Sequence, residues 1–332
     1  MIVCRRTDFP YGSGGCGIAI AKAQSMKFWT SVYKVYSAAL AAACVAAIAT
    51  TVAEASVVDI TSPTTTWTPV LYANNNPDPS KDQQTGSAEG DIVGNALNPS
   101  VFTTFGNGNT PSLIDGTLAF RIRIGADMSP AGFKTAVFVG IDGNSDGALD
   151  LFLGVNNSGA GGIIGIWDPG TGTNTSPSST TIVSTPLASY TQAAANYSWM
   201  QVTATNDPNA TSFDLDAGGP TEPDFFLSYS IPFADVVAKL AANGITGFNE
   251  NSTMSYVVAT ATQANSLNQD LNGVAGSVNS SLTWSQLGVQ SNLMTPAGIA
   301  VVPEMDSALG IVGLLVVVIA HHHFRRRCSR AI

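Results

Sequence analysis

The central part of the sequence, residues 56–302, contains no cysteine and no histidine. All residues of these two types lie nearer the ends, at Cys4, Cys16, Cys44, Cys328, His321, His322 and His323. Without thiols or imidazoles, the central part can form no disulfide scaffold, no nucleophile activated by histidine and no zinc site of the usual type. Its stability must come from a hydrophobic core and any bound ion, and carboxylates are its main chemical groups.

Basic side chains are also scarce, with 14 Lys and Arg against 23 Asp and Glu in the whole chain. Residues 1–55 contain five basic and two acidic residues, and residues 303–332 contain four and two. This leaves five basic and 19 acidic residues to the central part, a net charge of −14. Such an acidic segment argues against nucleic acid as a partner, because phosphates are bound by Lys and Arg.

Residues 26–55 have the pattern of a secretory signal peptide. Lys27 and Lys34 precede a 15-residue, Ala-rich apolar run at 35–49, and small residues follow it. A basic start, an apolar middle and a small-residue cleavage site in this order are typical of such signals. A membrane anchor is the alternative, but 15 weakly apolar residues fall short of the roughly 20 that span a bilayer.

Cleavage by signal peptidase is predicted after Ala55, which would make Ser56 the first residue of the mature protein. Met26 has the sequence context of a true start, so residues 1–25 are interpreted as an extension that arose from a wrong start codon. Lipidation of Cys44 is a further alternative. The residues before Cys44 match a lipobox poorly, and the apolar run continues beyond it.

Residues 302–330 combine a polar dipeptide, an apolar stretch and a basic end. Thirteen apolar residues, Ala308–Ala320, would form a helix of roughly 20 Å, shorter than a ~30 Å hydrocarbon core. Extended through the histidines and Phe324, a transmembrane helix is predicted over 308–324. The following arginines, Arg325–Arg327, would stay in the cytoplasm, which places the central part outside. The three adjacent histidines are interpreted as neutral interfacial residues rather than metal ligands, because neighbours on a helix point in different directions.

This tail, with Pro303-Glu304-Met305 at its start, resembles the PEP-CTERM sorting signals of Gram-negative bacteria. The family usually has Pro-Glu-Pro, so Met305 departs from its motif. The resemblance implies cleavage near Pro303 and Glu304 by an exosortase-type enzyme. It also implies delivery to the cell surface or extracellular matrix. A plain tail anchor that remains uncut is the alternative.

Between the two ends, residues 56–301 are predicted to form one all-β domain, an antiparallel β-sandwich. Alternation of apolar with small or polar residues, punctuated by Gly, Asn, Asp and Pro, is typical of half-buried strands. The runs with this pattern are Leu118–Ile124, Thr135–Ile141, Leu149–Val155, Ile163–Trp167, Trp199–Thr205, Phe225–Ile231 and Ser255–Thr262. One short helix is predicted over 232–242, and the segments 59–112 and 168–198 are predicted to be coil.

The segment 142–150, Asp-Gly-Asn-Ser-Asp-Gly-Ala-Leu-Asp, is the strongest local motif. Oxygen-bearing residues at alternate positions can curl around one calcium ion, which prefers hard oxygen ligands. The predicted ligands are the side chains of Asp142, Asn144, Asp146 and Asp150 and the carbonyl of Ala148. The flanks predict strands rather than helices, so this is a calcium-type loop and not an EF-hand. A turn without an ion is the alternative, because Asn, Asp and Gly favour turns by themselves.

Position 12 of this loop is Leu153 instead of a bidentate glutamate, so one ligand would have to come from elsewhere. The candidates for it are Asp127, Asp216, Glu222 and Asp224. Calcium at ten times its dissociation constant would add about 1.4 kcal/mol of stability. A contribution of this size suits a structural ion better than a sensor.

Catalysis by paired carboxylates, as in glycoside hydrolases, is the enzyme class that remains. Its candidate residues are Asp214, Asp216, Glu222 and Asp224, whose spacing fixes no acid–base geometry. Ser145 matches the G-x-S-x-G elbow but has no histidine base, so it is interpreted as a turn residue. Four tryptophans offer either a sugar-stacking face or core packing, at Trp67, Trp167, Trp199 and Trp284.

The segments 224–232 and 259–270 loosely resemble secreted bacterial surface proteins, whose β-sandwich domains also serve as carbohydrate-binding modules. The sequence therefore predicts a non-catalytic, calcium-stabilised protein of the cell surface or extracellular matrix. A module that binds extracellular polysaccharide is the second hypothesis, and a carboxylate-based glycosidase is the third.

Overall fold

The computed structural model describes residues 58–72, 78–84, 88–107, 111–127, 132–159, 162–216, 223–276 and 278–298. The predicted signal peptide, its cleavage site at Ala55 and Ser56, the sorting motif at 303–305 and the transmembrane helix over 308–324 lie outside these residues. Within these ranges, no helix has the length and apolar character needed to cross a bilayer.

The described part of the chain is mostly β-structure. Its strands are β1 Thr68–Pro69, β2 Val101–Gly106, β3 Thr117–Ile124, β4 Ala136–Asp142, β5 Leu151–Asn156, β6 Ile163–Trp167, β7 Ala188–Thr191, β8 Tyr197–Gln201, β9 Phe225–Pro232, β10 Ser255–Ala261 and β11 Asp270–Leu271. Two α-helices, α1 Phe233–Ala242 and α2 Trp284–Leu287, accompany them, with 3₁₀ turns at Ala88–Gly90 and Pro177–Ser179.

The strands form two antiparallel sheets, which confirms the predicted β-sandwich-like fold. The first sheet has the order β1-β2-β3-β9-β8, and the second has the order β11-β10-β4-β5-β6-β7. Each predicted alternating run overlaps an observed strand, and α1 at Phe233–Ala242 lies within the predicted helix at 232–242. Asn243 and Gly244 end this helix, and Gly244 has the positive φ of 93° that an L side chain rarely adopts.

The main core lies between the inner faces of the two sheets. Phe120 of β3 packs edge-on against Tyr256 of β10, with their ring centroids 5.3 Å apart. Tyr229 of β9 donates a hydrogen bond from its hydroxyl to the carbonyl of Leu153 in β5, at 3.0 Å. Both contacts join one sheet to the other, so the register of the strands fixes how the two layers meet.

The second sheet is also buried on its outer face, which differs from the half-buried strands that alternation predicted. Every residue of β4 and β10 is buried. A second apolar cluster covers this face, and in it Phe138 and Trp167 of the sheet lie with Ile182 and Trp284. The covering residues come from loops and from the short helix α2. These segments have no extended hydrophobic periodicity, so the sequence pattern did not predict that they cover the sheet.

The prediction of coil for 59–112 and 168–198 was wrong in part. β2 lies in the first segment and pairs along its whole length with β3, from Val101↔Ile122 to Gly106↔Thr117. The second segment contributes β7 to the edge of the second sheet and the start of β8. The Val, Phe, Thr and Tyr residues of these strands favour extended structure, but the runs lack a clean alternation of apolar and polar residues, which is the signal that the prediction used.

Candidate functional site

The segment 142–150, called the Asp142 loop below, connects β4 to β5. The carboxylate of Asp142 organises its first half, because Oδ1 accepts the backbone N–H of Ser145 at 2.7 Å and Oδ2 accepts that of Gly147 at 3.0 Å. Ser145 and Gly147 have positive φ angles of 62° and 85°. The tight turn at Gly147 therefore has the residue type that such a conformation favours.

The other side chains of the Asp142 loop are engaged in the same way. Asp150 Oδ2 accepts the N–H of Gly143 at 2.8 Å, and Asp146 Oδ1 accepts that of Ala148 at 2.9 Å. Asn144 donates to Asp146 Oδ2 at 3.0 Å. Burial, and then the nearby negative charges of Asp142 and Asp146, raise the pKa of Asp150 to about 6. The loop holds its own shape by hydrogen bonds, and calcium within it stays a prediction.

Gln290 reaches the Asp142 loop from a distant part of the sequence. Its Nε2 donates to Asp142 Oδ2 and to Ser255 Oγ, both at 2.8 Å. No local sequence pattern predicts this contact, because it brings together residues 148 positions apart. A residue from outside the loop thus contacts Asp142, but it is the amide Gln290 and not one of the carboxylates that were candidates for the missing ligand.

The predicted candidates for the missing ligand have other partners. Asp127 Oδ1 accepts the backbone N–H of Gly132 at 2.7 Å. Asp216 and Asp224 belong to a separate acidic group described next, and Glu222 lies outside the described residues.

Asp214, Asp216 and Asp224 come together, with one carboxylate oxygen of each within 4.8 Å of the others. Asp224 is completely buried and forms an ion pair with Arg123, whose Nε lies 2.7 Å from Asp224 Oδ2. Burial raises the pKa of Asp224 although Arg123 opposes that shift, and burial together with the neighbouring Asp214 raises the pKa of Asp216 to about 6. Because Asp224 is completely buried, a substrate would have little access to its carboxylate.

A second acidic group was not predicted from the sequence. One carboxylate oxygen from each of Asp82, Asp91 and Asp270 lies within 4.8 Å of the others, and Asp78 is their electrostatic neighbour. We call these four residues the acidic pocket. Asp78, Asp91 and Asp270 are buried, with at most 4% of their surface exposed, whereas Asp82 is half-buried. Two like charges at this separation repel by roughly 3 kcal/mol near a protein surface.

The backbone fixes the carboxylates of the acidic pocket. Asp270 Oδ2 accepts the N–H of Ile92 at 2.6 Å, and its Oδ1 accepts that of Leu271 at 2.7 Å. Each of the other three accepts a backbone N–H on one oxygen, while its second oxygen is buried and has no hydrogen-bond partner among the described residues. The backbone donors are Gly273 for Asp78, Gly276 for Asp82 (3.2 Å) and Lys81 for Asp91 (2.8 Å).

Burial and mutual repulsion dominate the electrostatics of the acidic pocket. Burial raises the pKa of Asp91 to about 7, and the charges of Asp82 and Asp216 add to this. Burial, followed by the charge of Asp82, raises the pKa of Asp270 to about 8. The pKa of Asp78 lies well above its usual value, again through burial and then through Asp270. The pocket therefore favours neutralisation of its carboxylates by protons or by a cation.

The tryptophans lie mainly in the core. Trp167 and Trp284 are buried, and the Trp284 indole donates to the carbonyl of Asn174 at 2.7 Å. Trp199 is half-buried and stacks on Phe225, with the ring centroids 5.1 Å apart. These three side chains serve packing.

Trp67 has a different environment, on the outer face of the first sheet. The guanidinium carbon of Arg121 lies 4.2 Å from the centroid of its ring. A groove of about 440 Å³ runs past this pair, and Leu97, 69% exposed, and Asn209 line it. A flat aromatic ring beside amide and charged groups is a surface on which a sugar ring can stack.

No protein-family model, no curated protein and no solved structure matches this chain.

Proposed function

We propose that the chain is an exported, non-catalytic protein of the bacterial cell surface or extracellular matrix, with a calcium-stabilised β-sandwich. The predicted signal peptide and the PEP-CTERM-like tail support export. Its processing partners are then signal peptidase and an exosortase-type enzyme, and the helix over 308–324 anchors the precursor in the membrane.

The observation that carries this proposal is the excess of acidic over basic groups in the central part. Residues 56–302 contain 19 acidic and five basic residues, and Arg123–Asp224 is the one ion pair among the described residues. Carboxylates that lack basic partners are stabilised by cations. Extracellular calcium modules bind at roughly 10⁻⁴ to 10⁻³ M, so this composition suits a protein that works outside the cell.

Calcium in the Asp142 loop belongs to this proposal, with Asp142, Asn144, Asp146, the carbonyl of Ala148 and Asp150 as ligands. The spacing of these oxygens and the positive φ of Gly147 support it. The hydrogen bonds that hold the loop would position its carboxylates before the ion arrives. An ion bound there would reinforce the connection between β4 and β5, which suits a structural role.

The mass of the mature protein tests export and sorting. The intact mass of the protein isolated from the surface of its own cells is expected to lack the residues before Ser56 and those after the Pro303-Glu304-Met305 motif. A variant with Pro303 and Glu304 both changed to Ala should keep its C-terminal end. An intact C-terminus in the unchanged protein would overturn the sorting proposal, and an intact N-terminus would overturn the signal peptide.

Binding of extracellular polysaccharide is the second candidate function, favoured by the groove beside Trp67. Binding of a soluble polysaccharide fragment should quench tryptophan fluorescence, and Trp67→Phe should abolish the quenching. Trp199→Phe is the matched control, because Trp199 stacks on Phe225 instead of lining the groove. Quenching that survives Trp67→Phe, or that is absent with every polysaccharide of the native matrix, would leave the structural role alone.

A further inference from the structure

We infer that the acidic pocket binds one calcium ion through Asp82, Asp91 and Asp270, with Asp78 as a further acidic neighbour, at a site separate from the Asp142 loop. The inference does not depend on export or on the loop site. Calcium binds oxygen at 2.3–2.6 Å, so two ligands of one ion are at most about 5 Å apart. One carboxylate oxygen from each of Asp82, Asp91 and Asp270 satisfies this limit, because these three oxygens lie within 4.8 Å of one another.

The buried oxygens without partners indicate that something is bound here. Asp91 has no exposed surface, yet within the described part of the chain its Oδ1 has no hydrogen-bond partner. Asp78 Oδ2 is in the same situation, at 4% exposure. Buried polar atoms nearly always have a partner, and a carboxylate oxygen beside other carboxylates is stabilised by a proton or by a cation. A cation in the pocket would be such a partner.

Among the described residues, no basic side chain forms an ion pair with the carboxylates of the acidic pocket. Lys81, which donates its backbone N–H to Asp91, has an exposed side chain, and its charge acts on Asp216 of the neighbouring group. The ion pair of the described residues, Arg123–Asp224, also belongs to that neighbouring group. The two adjacent acidic groups thus differ, because one contains its own arginine and the other contains carboxylates alone.

The backbone hydrogen bonds leave the pocket prepared for a metal. In Asp78, Asp82 and Asp91 one oxygen is fixed by an N–H group while the other is available. A metal site needs ligands that are already oriented in this way by second interactions. Calcium fits better than magnesium, because it accepts six to eight oxygens in irregular geometry, whereas magnesium requires an octahedron and retains its waters.

An ion in this pocket would join the segment 78–91 to the edge of the second sheet. Asp270 lies in β11, and Gly273 and Gly276 follow in the turn after that strand. The segment also has direct hydrogen bonds to this sheet, from Gln84 N–H to the carbonyl of Gln269 at 2.9 Å and from Thr260 Oγ1 in β10 to the carbonyl of Gly90. Calcium would therefore stabilise the attachment of this segment.

Calorimetric titration of the purified full chain with calcium chloride tests the inference, and Asp91→Asn is the variant of choice. The side-chain oxygen of the asparagine can still accept the backbone N–H of Lys81, while its amide NH2 group replaces Oδ1, the oxygen that has no partner among the described residues. The number of bound calcium ions should fall by one. The calcium-dependent rise in the melting temperature should shrink by about 3 to 6 °C at ten times the dissociation constant. Magnesium chloride should produce no comparable rise.

Two comparisons make the result decisive. Asp59→Asn removes an exposed acid and should leave the number of bound ions unchanged. Asp142→Ala should leave the ion of the acidic pocket in place. Circular dichroism in the presence of a chelator shows whether Asp91→Asn is folded. If it is not, Asp82→Asn is the substitute variant, because Asp82 is only half-buried. Unchanged calcium binding in the folded variant, or an equal effect of magnesium, would overturn the inference. Failure of the export proposal would appear in the intact mass and would not change these titrations.

Discussion

The Asp142 loop and the acidic pocket both bring several carboxylates close together, but they stabilise them in opposite ways. In the loop, Asp142 accepts three N–H groups, from Ser145, Gly147 and Gln290, so its oxygens are satisfied by the protein. In the pocket, Asp78 and Asp91 each retain a buried oxygen for which the described residues provide no donor. Hydrogen bonds alone can therefore hold a loop with calcium-like spacing, and an ion proposed there would add to them, whereas the carboxylates of the acidic pocket have fewer donors than oxygens.

The neighbouring group around Asp224 extends the comparison to a carboxylate with its own cation, and here we expect the largest effect. Arg123→Met would leave Asp224 buried without its ion-pair partner, both side chains being fully buried. Loss of one partner of a buried pair typically lowers the free energy of unfolding by about 3 to 5 kcal/mol. Unfolding in urea measures this loss.

Lys134→Met is the control for that experiment, because Lys134 is exposed and exposed charges contribute less than about 1 kcal/mol. Equal stabilities of the two variants would mean that Arg123 does not compensate Asp224. The acidic pocket would then not be distinguished by its lack of a basic residue.

The next effect in size separates the loop from the pocket. Asp142→Ala leaves the N–H groups of Ser145 and Gly147 without their acceptor. Unsatisfied donors of this kind cost about 1 to 3 kcal/mol each when buried, and the partial exposure of this loop places the total near the lower value. This loss in the free energy of unfolding is expected both in the presence of a chelator and in the presence of calcium. Unfolding in urea under the two conditions measures it. A loss confined to calcium would show that the ion, and not the hydrogen bonds, holds the loop.

The same contrast explains which features the sequence could predict. Alternation in Leu118–Ile124 and Phe225–Ile231 identified β3 and β9, and the Asp-Asn-Asp spacing marked the Asp142 loop, because each signal is contained in a few consecutive residues. Burial of the outer face of the second sheet was not predictable, since aperiodic segments cover it. The acidic pocket was not predictable from the sequence either, because its residues are far apart along the chain. Asp270 and Ile92 meet although they are 178 positions apart.

A smaller effect tests whether the conformation of the Asp142 loop matters by itself. Gly147 has a φ of 85°, and a methyl group there would meet no atom within 4 Å. Gly147→Ala should therefore cost about 1 kcal/mol through backbone strain alone. Gly159→Ala is the matched control, because that position is equally open and has no positive φ. Equal melting temperatures of the two variants would show that the loop adapts to the alanine without cost.

The smallest effect is expected for Asp91→Asn when calcium is removed by EDTA. The variant retains an acceptor for the Lys81 N–H and removes a negative charge that lies beside Asp82 and Asp270. Its free energy of unfolding in chelator should equal that of the unchanged protein or exceed it by less than about 1 kcal/mol, because replacing a carboxylate here relieves repulsion. A loss as large as that of Asp142→Ala would mean that Asp91 is held by the protein, as the loop carboxylates are. Stability that is retained in EDTA, and that calcium increases less than in the unchanged protein, would show that the second oxygen of Asp91 is needed only by the ion.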